Sequence, residues 1–323
     1  MDNKKKVFVI FLAVSLALSV CGWLGYSSYK VWKQAQEKQR LLEKRQAAWA
    51  VLNDALGNKA RLFQGDAGII IEDLNTGWQF SLNQDKLFPS ASIVKIPIMA
   101  ACFQAVYEGR LNLKEKMVLK LSNKTTGSGI IKNFASGTKI PVEELIEIMI
   151  TQSDNTAANM LIERLGFEYL NDYFKISGLK HTNLSRKMMD FQDRKHGVEN
   201  YTSASDISKL LGKLYHRKFI NRQISEKCLA MLLRQKVNDR IPKKLPDDCP
   251  VAHKTGLEKN VCHDAGIVFT QQGDFLICVL TKSRSGTRQV KEFISNLALV
   301  IYQTYRQFPY TRYSFLKNGK RMN

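Results

Sequence analysis

Hydrophobic positions follow three rhythms along the 323 residues of this chain. Behind the short basic head MDNKKK, the stretch VFVIFLAVSLALSVCGWLGY is an unbroken apolar run, and about twenty such residues suffice to cross a bilayer as a helix. From Lys30 to about Arg45 the chain is charged with a helical period, and AAWAVLNDAL then sets Trp49, Leu52 and Leu56 on one helical face. GDAGIIIEDLNTGWQFSLN reads instead as two strands around an Asn-Thr-Gly turn. Helical spacing returns in IVKIPIMAACFQAVYEG, IPVEELIEIMI, DNTAANMLIERLG, SASDISKLLGKLYHR and SEKCLAMLLRQ. Three strands follow in PVAHKTGLE, DAGIVFTQQ and DFLICVLTK, and VKEFISNLALVIYQTY closes as a helix.

That order predicts an α/β (α+β) domain whose two ends share one antiparallel sheet, flanked by helices, with an all-helical subdomain inserted between the strands. The expected organisation is a basic cytoplasmic head at 1–6, a transmembrane anchor at 7–26, a helical stalk at 27–46, the folded domain at 47–304 and a basic tail at 305–323.

Charge changes the picture only at the ends. The net charge is +20; residues 1–45 carry nine Lys/Arg against three Asp/Glu, and residues 305–323 carry five against none. More than half the excess therefore lies outside the body, which argues against a nucleic-acid groove and for ends that meet anionic lipid or an anionic polymer. A cleaved signal peptide would have a shorter apolar core and a small-x-small cleavage site. None stands out, and Val20 before Cys21 is the wrong size for a lipidation box, so an uncleaved anchor is expected. Lysines flank the run on both sides and divide the charge rule for its orientation. The six cysteines, Cys21, Cys102, Cys228, Cys249, Cys262 and Cys278, show no regular spacing, with Cys102 and Cys278 in apolar, core-like runs. The five histidines form no ligating pair, so neither metal nor other cofactor is expected.

Candidate chemistry begins in FPSASIVKIP, where Lys95 puts a charge into an apolar run one helical turn after Ser92. Ser-x-x-Lys also occurs at Ser27/Lys30 and Ser177/Lys180, so the pattern alone decides little. Its context adds weight, because a serine in the first turn of a buried helix lies at the positive end of the helix dipole, with a residue three positions on sharing its face. A lysine buried there needs a partner or gives up its proton and becomes a base. Two further short motifs follow: Ser153-Asp154-Asn155 where a loop enters a helix, and Lys254-Thr255-Gly256 at the end of a strand. Taken singly, the first is ordinary helix-capping chemistry and the second a strand running into a glycine turn.

Taken together, in this order, these motifs resemble the penicillin-recognising serine enzymes, in particular the class A β-lactamases, which share the β-lactamase/DD-peptidase-like fold with D-alanyl-D-alanine peptidases. The resemblance runs from about residue 47 to 304 and includes GSGII at 127–131, the SDNTAANMLIERLG helix and DAGIVF, with His263-Asp264 as a variant of the family's Asn-Asp pair. It implies that Ser92 attacks, that Lys95 is the base, and that Ser153 relays a proton to the departing nitrogen. It further implies that Asn155 holds the substrate's side-chain amide, that Lys254 and Thr255 receive its carboxylate, and that Gly256 lets it lie close along the strand. The backbone N–H groups of Ser92 and Leu257 would form the oxyanion hole.

One departure matters. The family's arginine is matched by Arg186, but the glutamate two residues on falls on Met188, and a thioether is no base. Asp190, Asp193 and Glu199 lie nearby, and Arg186 can close the loop on Glu199 or Asn200; a loop clasp is the simpler reading of these acids. Three functions follow from the resemblance: a β-lactamase-type hydrolase, with a substitute base such as Asp190; a peptidase acting on D-alanyl-D-alanine stems of peptidoglycan; and a receptor for β-lactams or wall fragments that stays acylated. With the apolar run as its anchor, the protein is expected to be a single-pass, monomeric protein of a bacterial cytoplasmic membrane, and the chemistry shared by these readings puts its catalytic domain outside.

Overall fold

Strand-forming residues gather at the two ends of the domain, and in the computed structural model they meet in one sheet. The structure describes residues 2–308, apart from the side chain of Lys5; the greater part of the expected tail at 305–323 lies outside the described residues. The chain divides into a first unit ending at Asp54 and a second beginning at Ala55. Helix α1, Asn3–Arg61, is continuous through the apolar run and the charged segment after it. Among the described residues it is the one helix long and apolar enough to cross a membrane, by length and composition.

In the second unit the sheet contains β1 (Asp66–Asp73), β2 (Gln79–Leu82), β7 (Val251–Glu258), β8 (Val261–Val268) and β9 (Phe275–Lys282) in the antiparallel order β2-β1-β9-β8-β7. The first strand pairs directly with the last, Ile70 opposite Cys278, which is how the two ends of the domain come to share one sheet. Between β2 and β7 lies the helical insertion, with α2 (Lys95–Tyr107), α3 (Val142–Thr151), α4 (Asn155–Leu165), α5 (Phe167–Ile176), α6 (Phe191–Lys195), α7 (Ala204–Tyr215) and α8 (Arg222–Leu233). Two small two-stranded sheets punctuate it, β3 (Phe88–Pro89) with β6 (Tyr201–Thr202) and β4 (Lys116–Val118) with β5 (Lys139–Pro141). Helix α9 (Thr287–Tyr305) ends the fold.

Alternation along each strand sorts the sheet's two faces. Ile70, Ala265, Ile267, Leu276, Cys278 and Leu280 join one apolar core with α2, α3, α4, α7 and α8. Ile69, Ile71, Ile277 and Val279 are buried as well, and so are Val290, Ile294, Leu297 and Ile301 of α9. Leu56 and Ala60 at the end of α1 are buried too, and Phe63 stacks on Phe293. All six cysteines are free thiols, with Cys102 and Cys278 fully buried. The arrangement leaves β7 at the edge of the sheet, alongside the turn that precedes α2.

Candidate active site

Ser92 does not sit within an α-helix. It lies in a single 3-10 turn, Ala91–Val94, that leads into α2 at Lys95. Ala91 has φ 44°, a left-handed conformation that a non-glycine residue holds only when its surroundings impose it. Those surroundings are visible: Ile93 and Val94 are fully buried, and Ser90 N–H donates to Asn200 O at 2.7 Å. Pro97 is tolerated because it falls in the first turn of α2, where no intrahelical partner for its missing N–H is required. His263 adds a further brace. Its Nδ1 accepts from Thr281 N at 2.9 Å, so the proton resides on Nε2, which donates to Pro89 O at 2.8 Å. Burial pushes its pKa down to about 4, and the ring is a neutral link between β8 and the segment just before Ser92.

Lys95 is fully buried. Its Nζ lies 3.0 Å from Ser92 Oγ, 2.7 Å from Ser153 O, 2.7 Å from Asn155 Oδ1 and 3.3 Å from Ser153 Oγ. Burial, partly opposed by the charges of Asp154 and Glu258, lowers its pKa to about 7. The donor count then becomes informative. A neutral amine has two N–H groups and one lone pair, and two of the four neighbours, the carbonyl oxygens of Ser153 and Asn155, only accept. With both N–H groups taken by those carbonyls, the lone pair is left for a hydroxyl proton. The neutral form can therefore receive the proton of Ser92.

Ser153, at φ 55°, presents both its carbonyl and its hydroxyl to Lys95. From the other side Lys254 Nζ donates to Ser153 Oγ at 2.8 Å and to Thr255 O at 2.8 Å. Burial, then the neighbouring charge of Lys95, holds Lys254 well below the ordinary lysine range, with Asp264 opposing and Arg240 adding to the shift. One hydroxyl is thus shared by two buried amines, a geometry suited to passing a proton.

The loop entering α4 is organised by Asp154. Its Oδ1 caps the helix by accepting from Ala157 N at 2.8 Å, and its Oδ2 accepts from Ile130 N at 2.6 Å and Ile131 N at 2.9 Å. The GSGII segment is thereby tied to the site, and Asn155 N–H adds a bond to Ser128 O at 3.1 Å. Asn155 Nδ2 donates to Thr126 O at 3.1 Å while Oδ1 accepts from Lys95, which leaves one Nδ2 proton for a ligand.

Gly256 answers to a closer neighbour than the sequence suggests. A Cβ there would lie 3.1 Å from Ile93 Cγ1 and 3.4 Å from Ala91 Cβ. Its bareness lets β7 approach the Ser92 turn itself. Leu257, the next residue, is about half exposed on the same edge strand, while Thr255 is buried.

The loop around Met188 is clasped in three ways. Arg186 donates from Nε and Nη2 to Glu199 Oε1 at 3.0 and 2.6 Å. Asn200 Oδ1 accepts from Ser185 N and Arg186 N at 2.7 and 3.0 Å, and its Nδ2 donates to Arg186 O at 3.0 Å. Arg194 bridges Glu199 at 2.9 Å and Glu258 at 2.7 Å, which joins the loop to the end of β7. Within it, Met188 is buried, and Asn159 of α4 takes its N–H at Oδ1 (2.7 Å) and gives to its carbonyl from Nδ2 (3.1 Å). Asp190 accepts from Asp193 N at 3.0 Å as the cap of α6. Asp190 and Glu199 thus serve as loop fasteners here, and Met188 presents a thioether.

Sequence reasoning also missed Arg240. It is buried, donates to Cys262 Sγ at 3.2 Å, pairs with Asp239 at 2.8 Å, and its charge reaches Lys254. His253 forms a second unanticipated contact, Nδ1 to Asp264 Oδ1 at 2.8 Å, while Asp264 Oδ2 accepts from Ile241 N at 3.0 Å. Nothing in the local pattern marks either residue, since each acts across strands.

The profile of the beta-lactamase enzyme family matches residues 50–305. The chain belongs to that family. It is similar to the β-lactamase VEB-1 of Pseudomonas aeruginosa, 25% identical over 257 residues covering 74% of this chain and 85% of that one. The extended-spectrum β-lactamase PER-1 of the same organism is 26% identical over 240 residues, 69% and 77% of the two chains. Among solved structures, a β-lactamase from Sphaerobacter thermophilus superposes with TM-score 0.73 at 28% identity, covering 81% of this chain and 99% of that one. PBP-A gives the same TM-score and identity over 79% and 96%, and a mutant of PBP-A is known as an acyl-enzyme complex with penicillin G. The protein is accordingly a serine hydrolase of the class A β-lactamase type.

Proposed function

We propose that β-lactams acylate Ser92 and that the ester so formed is long-lived. The observation that carries the first half is the convergence of Ser92, Lys95, Ser153 and Lys254 in one hydrogen-bonded chain. Lys95 takes the proton of Ser92 as Oγ attacks the lactam carbonyl. The oxyanion is received by the backbone N–H groups of Ser92 and Leu257, as the family resemblance implies. When the C–N bond breaks, the nitrogen takes a proton through Ser153 Oγ. Lys254, Thr255 and the buried charge of Arg240 form the carboxylate end, and the unused Nδ2 proton of Asn155 faces the side-chain amide. Deacylation differs, because the position of the family's glutamate is a buried methionine with both backbone polar groups held by Asn159. A positioned general base typically contributes about 10²- to 10⁴-fold, and the acyl-enzyme should outlast that of an enzyme carrying one by a similar factor.

The same absence of a base favours a second reading, a peptidase of D-alanyl-D-alanine stems that β-lactams trap. Helix α1 fits a membrane anchor or a signal sequence. We read it as an uncleaved anchor in a bacterial cytoplasmic membrane with residues 47–304 outside, where wall precursors and antibiotics are met. The deciding experiment compares nitrocefin turnover with release of D-alanine from a diacetyl-lysyl-D-alanyl-D-alanine peptide by one preparation. Slow nitrocefin turnover with a persistent adduct supports the proposal; rapid turnover that vanishes in Asp190→Asn would replace it with a β-lactamase using Asp190.

A further inference from the structure

One buried titratable pair takes no part in the chemistry above. His253 on β7 and Asp264 on β8 are both buried and, by strand register, lie on the same face of the sheet. A Cβ on Gly266, the cross-strand partner of His253, would collide with the Cβ of His253, so the sheet admits this residue only because glycine stands opposite. A carboxylate only accepts, so Nδ1 of His253 donates to Asp264 Oδ1 at 2.8 Å. Nε2 reaches the side-chain amide of the exposed Asn238, 3.1 Å from its Oδ1. The other carboxylate oxygen, Asp264 Oδ2, accepts from Ile241 N at 3.0 Å. The pair thus grips the chain at residues 238 and 241, and Arg240 lies between the two grips. The guanidinium itself is weakly held: Nε donates to Cys262 Sγ at 3.2 Å, a poor acceptor, and Nη1 pairs with Asp239, which is 41% exposed and shared with Lys291. Nη2 meets no acceptor among the described residues. Where the guanidinium stands is therefore decided by the backbone that carries it.

We propose that His253 is a positioning residue: joined to Asp264, it clasps the chain on both sides of Arg240 and so fixes the guanidinium at the carboxylate end of the site. Selection of acyl donors that carry a free carboxylate then depends on a histidine that touches no substrate. Asp264 has a second effect on the same end, since its charge and that of Arg240 act on Lys254 in opposite senses. This inference rests on Ser92 as the acylated nucleophile and on Lys254, Thr255 and Arg240 as the carboxylate end.

The test uses the full-length protein with benzylpenicillin and its methyl ester, two donors that differ only in the carboxylate charge. Second-order constants for acylation of Ser92 are measured by mass spectrometry for wild type, His253→Asn and Asn238→Ala, and for the same two changes combined with Arg240→Ala. His253→Asn keeps a donor for Asp264 but cannot reach residue 238, and Asn238→Ala breaks the same link from the exposed side, where folding is not at stake. The benzylpenicillin-to-ester ratio should fall roughly tenfold in His253→Asn, equivalent to about 1.4 kcal/mol in the barrier, and by at least about threefold in Asn238→Ala. The constant for the ester should stay within about twofold of wild type in both, and in the Arg240→Ala background neither change should alter the ratio by more than about twofold, because the effect passes through that residue. An unchanged ratio in both single variants, an equal loss on the two donors, or a full further fall in the Arg240→Ala background would overturn the proposal. A wild-type ratio near unity would instead overturn the carboxylate end of the proposed function, and this proposal with it.

Discussion

Acylation of Ser92 should follow the neutral fraction of Lys95, and the structure sets where that fraction changes. Burial lowers the amine from 10.5 to about 7. With a midpoint there, about a tenth of the molecules carry a free amine at pH 6 and about nine-tenths at pH 8, so single-turnover acylation should climb about tenfold across that interval and then level off. A lysine with an ordinary pKa would give about a hundredfold rise over the same range and continue through pH 9. The perturbation that tests the cause is Glu258→Gln. Glu258 carries a negative charge that raises the Lys95 value, after burial and Asp154 in importance. Removing that charge stabilises the neutral amine, and the midpoint should move toward acid. Quenched-flow labelling with a fluorescent penicillin at limiting concentration, from about pH 5.5 to about pH 9.5, reads the profile directly. A unit-slope rise without plateau through pH 9, or a midpoint that Glu258→Gln moves toward alkali, would refute Lys95 as the neutral base.

Met188→Glu should shorten the acyl-enzyme lifetime, by up to about 10²-fold if the loop accepts the charge; time-resolved mass spectrometry of the adduct checks it, and an unchanged lifetime with a folded protein would remove Met188 from the explanation. Arg186→Ala leaves Glu199 buried and without one of its two arginine partners, and should cost about 3–5 kcal/mol, read as a lowered unfolding midpoint in urea. A loss below about 1 kcal/mol would mean that Arg194 alone holds the loop. External protease on intact spheroplasts should release the body if residues 47–304 lie outside, whereas complete protection would refute that topology.

Legibility in the sequence tracked the range of each interaction. Ser92 and Lys95 are one turn apart, and the apolar run around them declared the burial of Lys95, so their meeting could be read directly. Ser153 and Lys254 were legible only as motifs in order, because the 2.8 Å contact between them joins residues 101 positions apart. Asn159 and Arg240 were not legible. Asn159 looks like one more polar residue on α4 until the loop folds back to place Met188 against it. Arg240 lies in a segment with no periodic signal and becomes buried only when β8 passes beneath it. At Gly256 the resemblance implies close approach of a substrate to the strand, and the structure adds neighbours within the chain, Ile93 and Ala91, that a Cβ there would crowd. Helix α1 runs on through the apolar run, the charged stalk and the start of the domain as the composition changes, since no proline interrupts it.

Incubation of the full-length protein with a fluorescent penicillin, followed by peptide mapping of the adduct, tests the central claim most directly. The account predicts one covalent adduct on Ser92, lost in Ser92→Ala and strongly slowed in Lys95→Ala. Labelling that survives Ser92→Ala, or an adduct on Ser27 or Ser177, would contradict it.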